Sequence, residues 1–262
     1  MTETTPFFSL IVILTEKNSY LLPFTLDSIA REQSGVAREV IIVDGTGGKT
    51  ILAHLPVEGV KVVACQSPRT ADLLNTAVKE ASGRYIHFLF PGEFYVSDHA
   101  LIFMKKMIKG YDFPDLIYTT RRVRHQFGQP TVDLFPLTIK ILKQVKVPSS
   151  LQSYFFRREA LIMLGSFSSK YEIACGYELL CRFFLTPTLR KTFVRRVLTD
   201  YEYRRVKPDS IVKESLEIVR ISFKYFGPSL QFFQWLMQNC LRLLSFSWKI
   251  VRASFWKRYV TT

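Results

Sequence analysis

The residues of this chain that could do chemistry are carboxylates placed where apolar runs end. Asp44 closes the run Glu39-Val-Ile-Ile-Val43 and is followed by Gly45, Gly47 and Gly48, which let backbone come close to a ligand. Asp72 and Asn75 lie three residues apart, so a helix carrying them puts both on one face. Glu93 ends the turn Phe90-Pro-Gly-Glu93, and Glu172 and Glu178 flank Gly176. Arginines recur mostly in pairs: Arg121 and Arg122 with Arg124, Arg157 and Arg158, Arg195 and Arg196, Arg204 and Arg205. Paired guanidinium groups suit phosphate. Each feature also has a plainer reading. Asp44 would be a strand-end turn residue, Asp72 and Asn75 a solvated face with a structural amide, and Glu172 and Glu178 surface charges.

The elements that must position these residues alternate in type. Short apolar, β-branched runs at 8–14, 39–43, 60–63 and 85–90 predict buried strands. Helical spacing predicts helices over 20–30 and 70–81, the second stopped by Gly83. Alternation of this kind predicts an α/β protein with a mainly parallel sheet covered on both faces. Sites in such sheets lie outside the carboxyl ends of the strands, which singles out residues 15–18, 44–48 and 91–93. A further strand is predicted at 116–120. A helix is predicted from Asp209 or Ser210 to Phe226, ended by Gly227-Pro228.

Charge divides the chain of 262 residues. Residues 1–100 hold 8 basic and 11 acidic side chains, and residues 101–262 hold 28 and 11, so the net +14 comes from −3 and +17. A hydrophobic content of 48% excludes a disordered basic tail. The longest apolar stretches are about eight residues, against the roughly 20 of a bilayer span. No basic residue precedes the first stretch as in a signal peptide. The four cysteines show no zinc spacing and are expected to be reduced thiols of a cytosolic protein. Nucleic-acid binding is not expected, since basic patches occur without a recognition motif.

Beyond Ser229 the polar positions Gln231, Gln234, Gln238, Arg242, Ser245, Lys249 and Arg252 recur at spacings of three and four. They form a narrow stripe on one long helix that is otherwise Phe, Trp, Leu and Met. With Trp256, Lys257 and Arg258 after it, this pattern suits a helix lying in the interface of an anionic membrane. A helix packed on its own domain, or a homodimer contact, is the alternative.

The order of the pieces resembles the family 2 glycosyltransferases, which have a glycosyltransferase-A fold. Ser9-Leu-Ile-Val-Ile-Leu-Thr15, Leu26-Asp-Ser-Ile29 and Glu39-Val-Ile-Ile-Val-Asp-Gly-Thr46 resemble the family's first strand–helix–strand unit. Ala71-Asp-Leu-Leu-Asn75, Ala81-Ser-Gly83 and Tyr85-Ile-His-Phe-Leu89 resemble the next. Tyr154-Phe-Phe-Arg-Arg158, Gly165-Ser-Phe167 and the stretch from Tyr171 to Arg182 resemble the acceptor-side segments. The resemblance covers roughly residues 7–205. It implies a catalytic domain over 1–207, with a nucleotide half (1–100) and an acceptor half (101–207), followed by a basic amphipathic tail (208–262).

The resemblance further implies transfer of a sugar, UDP-linked, from a nucleotide-diphospho-sugar to a lipid-linked or envelope-glycan acceptor. The place implied is the cytoplasmic face of the plasma membrane, with the enzyme peripheral to it. Thr15, Asp44, Asp72 and Asn75 would border the nucleotide sugar. Glu93 would be the remaining carboxylate for a divalent cation, Mg²⁺ or Mn²⁺, because Phe90 and Gly92 stand where the family has acidic residues. Gly176 stands where the family has its general base, which leaves Glu178 or Glu172 for that task. The missing carboxylates equally fit a degenerate relative that binds a nucleotide or partner without turnover.

Overall fold

The computed structural model describes residues 5–32, 35–48, 59–123, 131–133, 136–144, 151–201 and 208–228. The nucleotide half runs β1 (Phe8–Leu14), a single 3₁₀ turn (Ser19–Leu21), α1 (Leu22–Ala30), β2 (Arg38–Asp44), β3 (Val60–Ala64), α2 (Thr70–Glu80), β4 (Tyr85–Leu89), β5 (Glu93–Tyr95) and α3 (Ala100–Gly110). The remainder comprises β6 (Leu116–Val123), β7 (Thr131–Asp133), α4 (Ile139–Lys143), β8 (Tyr154–Arg157), α5 (Arg158–Met163), α6 (Cys175–Leu185), β9 (Lys191–Val197), β10 (Thr199–Tyr201) and α7 (Pro208–Phe226).

The main sheet has the order β3-β2-β1-β4-β8-β6-β7, with β9 also pairing β6. β1 is buried along its whole length. It pairs in parallel with β2 from Phe8↔Arg38 to Leu14↔Asp44, and with β4 from Phe8↔Tyr85 to Val12↔Leu89. Alternate side chains of such a strand point to opposite faces. Ile11 and Ile13 join one core layer with Leu73, Leu74 and Ala77 of α2 and Leu179 and Leu180 of α6. Leu10, Val12 and Leu14 join the other with Leu22, Leu26 and Ile29 of α1 and Met104 and Ile108 of α3. A strand covered on both faces has no polar side to show, which is why its sequence is apolar but for Ser9.

The predicted parallel sheet extends from β3 to β4. Beyond it the sheet becomes mixed, because β8 runs antiparallel to both β4 and β6, while β9 is parallel to β6. A separate ribbon joins β5 to β10, with Tyr201 opposite Glu93.

The helix predicted to end at Gly227 does so. Gly227 takes φ +66° and its N–H donates to the carbonyl of Phe223, the left-handed stop that glycine permits. α7 is not an appendage: Ile221 is fully buried in the core layer of α2 and α6. The predicted helix beyond Ser229, with Arg242, Lys249, Arg252, Trp256, Lys257 and Arg258, lies outside the described residues. Cys65, Cys175 and Cys181 are free thiols, as expected, and burial pushes the Cys175 and Cys181 thiols up to about 12.

Candidate functional site

The strand order places β2 and β3 on one side of β1 and β4 on the other. The chain therefore changes direction across the sheet beside β1, and in sheets of this kind ligand sites lie at that point, outside the carboxyl ends of the strands. Thr15, the turn from Asp44 to Gly48 and the turn from Phe90 to Glu93 all end strands at this edge.

Asp44 is buried, and its carboxylate shapes its own turn. Oδ1 accepts from the Thr46 N–H at 2.8 Å and the Thr46 hydroxyl at 2.6 Å, and Oδ2 accepts a longer bond, 3.3 Å, from the Gly48 N–H. Gly45 lets this turn lie against α2, since a Cβ there would come within 2.8 Å of Leu73 Cδ2 and 3.2 Å of the Leu14 carbonyl. Thr15 is half-buried, and its N–H donates to Asn18 Oδ1 at 2.9 Å.

Asp72 and Asn75 share a face of α2, and both reach the segment 167–169 of the second half. The Asn75 amide makes a two-way pair with the Phe167 backbone: Nδ2 donates to its carbonyl at 2.8 Å, and Oδ1 accepts its N–H at 2.9 Å. Asp72 accepts from Ser67 Oγ at 2.6 Å, Ser169 Oγ at 2.8 Å and Arg69 Nε at 2.9 Å. The hydrogen bonds from Ser67 and Ser169, with the charge of Arg69 beside them, hold its carboxyl below the usual carboxylate range. Asn75 thus has the structural role named as its plainer reading, and Asp72 remains an ionised group at the seam between the halves.

Glu93 is buried and turned into its own turn, where Oε2 accepts the Phe90 N–H at 2.8 Å. α1 fastens that turn from below. Thr25 Oγ1 donates to the Glu93 carbonyl at 2.7 Å and accepts the Gly92 N–H at 2.9 Å, while Ser28 Oγ accepts the Tyr95 N–H. Among the described residues no three His, Cys, Asp or Glu side chains gather to hold a metal ion. Glu93 as the one carboxylate of a cation site that substrate phosphates and water would complete stays an expectation. With Phe90 and Gly92 beside it, its carboxylate is drawn to the nearest unpaired backbone N–H.

The two candidate bases are also engaged elsewhere. The helix begins at Cys175, so Glu172 lies before it rather than on the Gly176 side of a longer helix. It is half exposed and paired with Lys213 of α7. Glu178 is 1% exposed. Its Oε2 accepts from Arg182 Nη2 at 2.7 Å and Nε at 3.0 Å, and its Oε1 accepts from the Tyr225 hydroxyl, with Lys224 Nζ at 3.5 Å. Arg182 also donates to the carbonyls of Leu164 and Ser166. Glu178 therefore ties α6 to α7 and to the segment that Asn75 and Asp72 hold from the other side.

The arginine pairs behave similarly. Arg122 pairs with buried Asp200 at 2.7 Å, Arg157 with Glu159 at 2.6 Å, and Arg196 lies over the Phe103 ring. Arg124, Arg204 and Arg205 lie outside the described residues.

Sequence reasoning missed Glu217. Its carboxylate, on the inner face of α7, accepts the N–H groups of Glu172, Ile173 and Ala174 at 2.8, 2.9 and 2.8 Å, just ahead of α6. A carboxylate at a helix N-terminus satisfies donors that have no partner within the helix. Thr25, Ser28 and Glu217 share one sequence signal, a polar residue inside the apolar stripe of an amphipathic helix.

No family model matches the chain. Curated relatives from Mycobacterium tuberculosis and Mycobacterium bovis, named "PGL/p-HBAD biosynthesis glycosyltransferase", are 24% identical over 226 residues, which is 83% of this chain and 85% of the relative. The fold matches Staphylococcus aureus TarS in complex with UDP, with a TM-score of 0.59, 18% identity, and coverage of 92% of this chain and 72% of that one. It also matches the mannosyltransferase PcManGT from Pyrobaculum calidifontis in complex with GDP-Man and Mn²⁺, with a TM-score of 0.60, 16% identity, and coverage of 87% and 66%. The chain is a glycosyltransferase-like protein. Its fold is the glycosyltransferase-A fold, and the transferase spans 44% of the longer TarS chain.

Proposed function

We propose that this glycosyltransferase transfers a sugar from a nucleotide-diphospho-sugar, UDP-linked, to a lipid-linked or envelope-glycan acceptor at the cytoplasmic face of a membrane. The observation that carries the donor half is the reversal of strand order beside β1, with the Asp44 turn at the end of β2 and ionised Asp72 in the first turn of α2. Neighbours of the same fold are complexes with UDP and with UDP-GlcNAc, and that supports a uridine nucleotide here. Among the described residues Asp44 Oδ2 accepts only a long bond, from Gly48, and it is the oxygen best placed to accept from a base or ribose. Thr15 walls the same space. Asn75 acts by positioning, holding the two halves in register so that donor and acceptor meet.

A neighbour crystallised with Mn²⁺ supports metal dependence in proteins of this fold. The Glu93 carboxylate of this chain is committed to Phe90, so no step is assigned through a cation. The +17 on residues 101–262 supports an anionic surface on the acceptor side, and no described helix is long and apolar enough to cross a membrane.

Calorimetry with UDP, together with turnover of a nucleotide-sugar panel in membrane extract with Mn²⁺ or Mg²⁺, tests the reading. UDP binding is expected, and Asp44→Ala should weaken it at least about tenfold, or about 1.4 kcal/mol. Absence of both binding and turnover would sink the proposal. A second reading, nucleotide binding without transfer, is favoured by Gly176 and by the engagement of Glu172 and Glu178 in ion pairs. Binding without turnover of any donor is its signature.

A further inference from the structure

We propose that the outer face of α7, continued by α4, is a docking surface for an anionic lipid bilayer, and that it seats the acceptor half against the membrane. This rests on the membrane-face reading above, but it places the contact on the folded domain rather than on residues 242–258.

Positions 213, 216, 220 and 223 recur at spacings of three, four and three, so they line one side of α7. That side is solvent-facing. Leu216 and Phe223 are 54% and 45% exposed, the Lys213 and Lys224 side chains are 51% and 50% exposed, and Arg220 is exposed. The side that packs on the domain, with Ile221, Ser222 and the flanking Glu217, is buried. A solvated helix face ordinarily mixes charges of both signs. Here, from 213 to 224, large apolar side chains alternate with cations; of the acids of α7, Glu217 is buried, Glu214 is partly exposed and Asp209 lies in the first turn.

α4 adjoins the end of α7, with Lys143 Nζ 5.8 Å from the Phe226 ring centroid. Its sequence Ile139-Lys-Ile-Leu-Lys143 carries no acid, and Ile139 and Lys140 are exposed. Lys213 and Lys224 each meet a glutamate, yet both ammonium groups stay half exposed. The patch therefore keeps an excess of positive charge around exposed apolar groups. That is the pairing an interfacial surface uses, with apolar side chains at the acyl boundary and cations at the phosphates.

The contacts of α7 give this docking a consequence. Glu217 holds residues 172–174 directly ahead of Gly176, and Tyr225 holds Glu178. A bilayer bound to the outer face of α7 lies across one helix from the acceptor side of the site, within reach of an acceptor whose lipid stays in the membrane.

Flotation of the full chain with phosphatidylcholine vesicles, with and without phosphatidylglycerol, tests this. The wild type should float with the anionic vesicles only, and the double variant Leu216→Glu/Phe223→Glu should lose roughly tenfold or more of that partition. Both substituted side chains are exposed, so the variant should keep its thermal transition. Undiminished flotation of this variant overturns the proposal. So does loss of flotation only in Arg242→Gln/Lys249→Gln/Arg252→Gln, which would place the contact in the last segment. A change in monomer–dimer sedimentation without a change in flotation would make the face a contact with a second copy and overturn it as well. UDP calorimetry on the same samples keeps the two readings apart. A protein that binds UDP but ignores both vesicles loses only the docking surface, and one that floats but binds no UDP loses only the donor reading.

Discussion

His87 is the most constrained titratable residue of the chain. It is fully buried on β4, stacked on Phe155 with ring centroids 3.9 Å apart, with Nδ1 2.7 Å from the Tyr95 hydroxyl and Nε2 2.8 Å from the Gln152 carbonyl. A carbonyl can only accept, so Nε2 carries the proton and Nδ1 accepts from the tyrosine. Burial pushes its pKa down to about 4, against the opposing effect of the Gln152 carbonyl. The folded state thus favours the neutral ring, and the unfolded chain takes up a proton first as pH falls below 6.5. The stability that neutral His87 contributes is complete above pH 6.5 and declines towards pH 4, by about 3 kcal/mol over that window. Urea unfolding at several pH values should show this slope. His87→Gln should lower stability at pH 7 and flatten it. A wild-type curve already flat between pH 6.5 and 4 would contradict the tautomer and the burial together. At this scale sequence was a partial guide. It put Asp72 and Asn75 on one helix face, but their partners Ser169 and Phe167 lie 97 and 92 residues away. Spacing within a helix carries no information about what the face meets. The same holds for Glu93, whose acidity suggested a ligand while its capture by Phe90 depends on a turn that Thr25 fastens 68 residues earlier.

The elements that were legible are those whose burial is two-sided. β1, β2 and β4 read directly from sequence because most of their positions are buried and apolar, and α1 and α2 because one stripe must be. The ribbon of β5 and β10 and the short β7 were not legible: three residues each do not establish a period. The start of α6 was also ambiguous, because its first turn is fixed by Glu217 of another helix. The link between α2 and β4 offers a sharper case. Gly83 was expected to stop α2, but the helix ends at Glu80 with Ala81 as an extended cap, and the backbone of Gly83 instead lies against β1. A Cβ there would fall 2.6 Å from the Ser9 nitrogen and 2.7 Å from the Phe8 carbonyl carbon, both backbone atoms that cannot rotate away. Its N–H donates to Glu39 Oε1 and Ser9 Oγ, each at 2.9 Å. Burial opposes ionisation of Glu39, but the hydrogen bonds from Ser9, Ser82 and Gly83 overcome it and hold the carboxyl low. Gly83→Ala should therefore cost about 2–3 kcal/mol through overpacking. Gly110→Ala, at the end of α3 with open space around it, should be neutral or stabilising by up to about 1 kcal/mol. Denaturant midpoints of the two variants check the contrast, and equal effects would mean that the β1–α2 junction yields more than its close contacts imply.

At the scale of the molecule, the question is where the transferase domain ends. Sequence put the boundary at 207, because the family resemblance fades near 205 and a basic helical stretch begins. The packing argues for a later one. Ile221 is fully buried in the core layer built by α2 and α6. Glu217 supplies the acceptor for three consecutive N–H groups before α6, and Tyr225 meets Glu178. Removing α7 would open apolar surface, strand those donors and leave Glu178 with Arg182 alone. Each buried donor left without its carboxylate costs about 1–3 kcal/mol, and the exposed Ile221 contact adds about 2 kcal/mol more. Marginal stabilities of about 5–15 kcal/mol do not absorb that loss easily. A chain ending at Gly227 keeps all of these contacts and the helix stop itself. The expected outcome is that residues 1–227 melt in one cooperative transition near that of the full chain and retain UDP binding. Residues 1–207 should melt many degrees lower or fail to show a transition. Calorimetric melting of the two truncations decides it. Equal stability would return the boundary to 207 and reduce α7 to a helix that rests on the domain without holding it together.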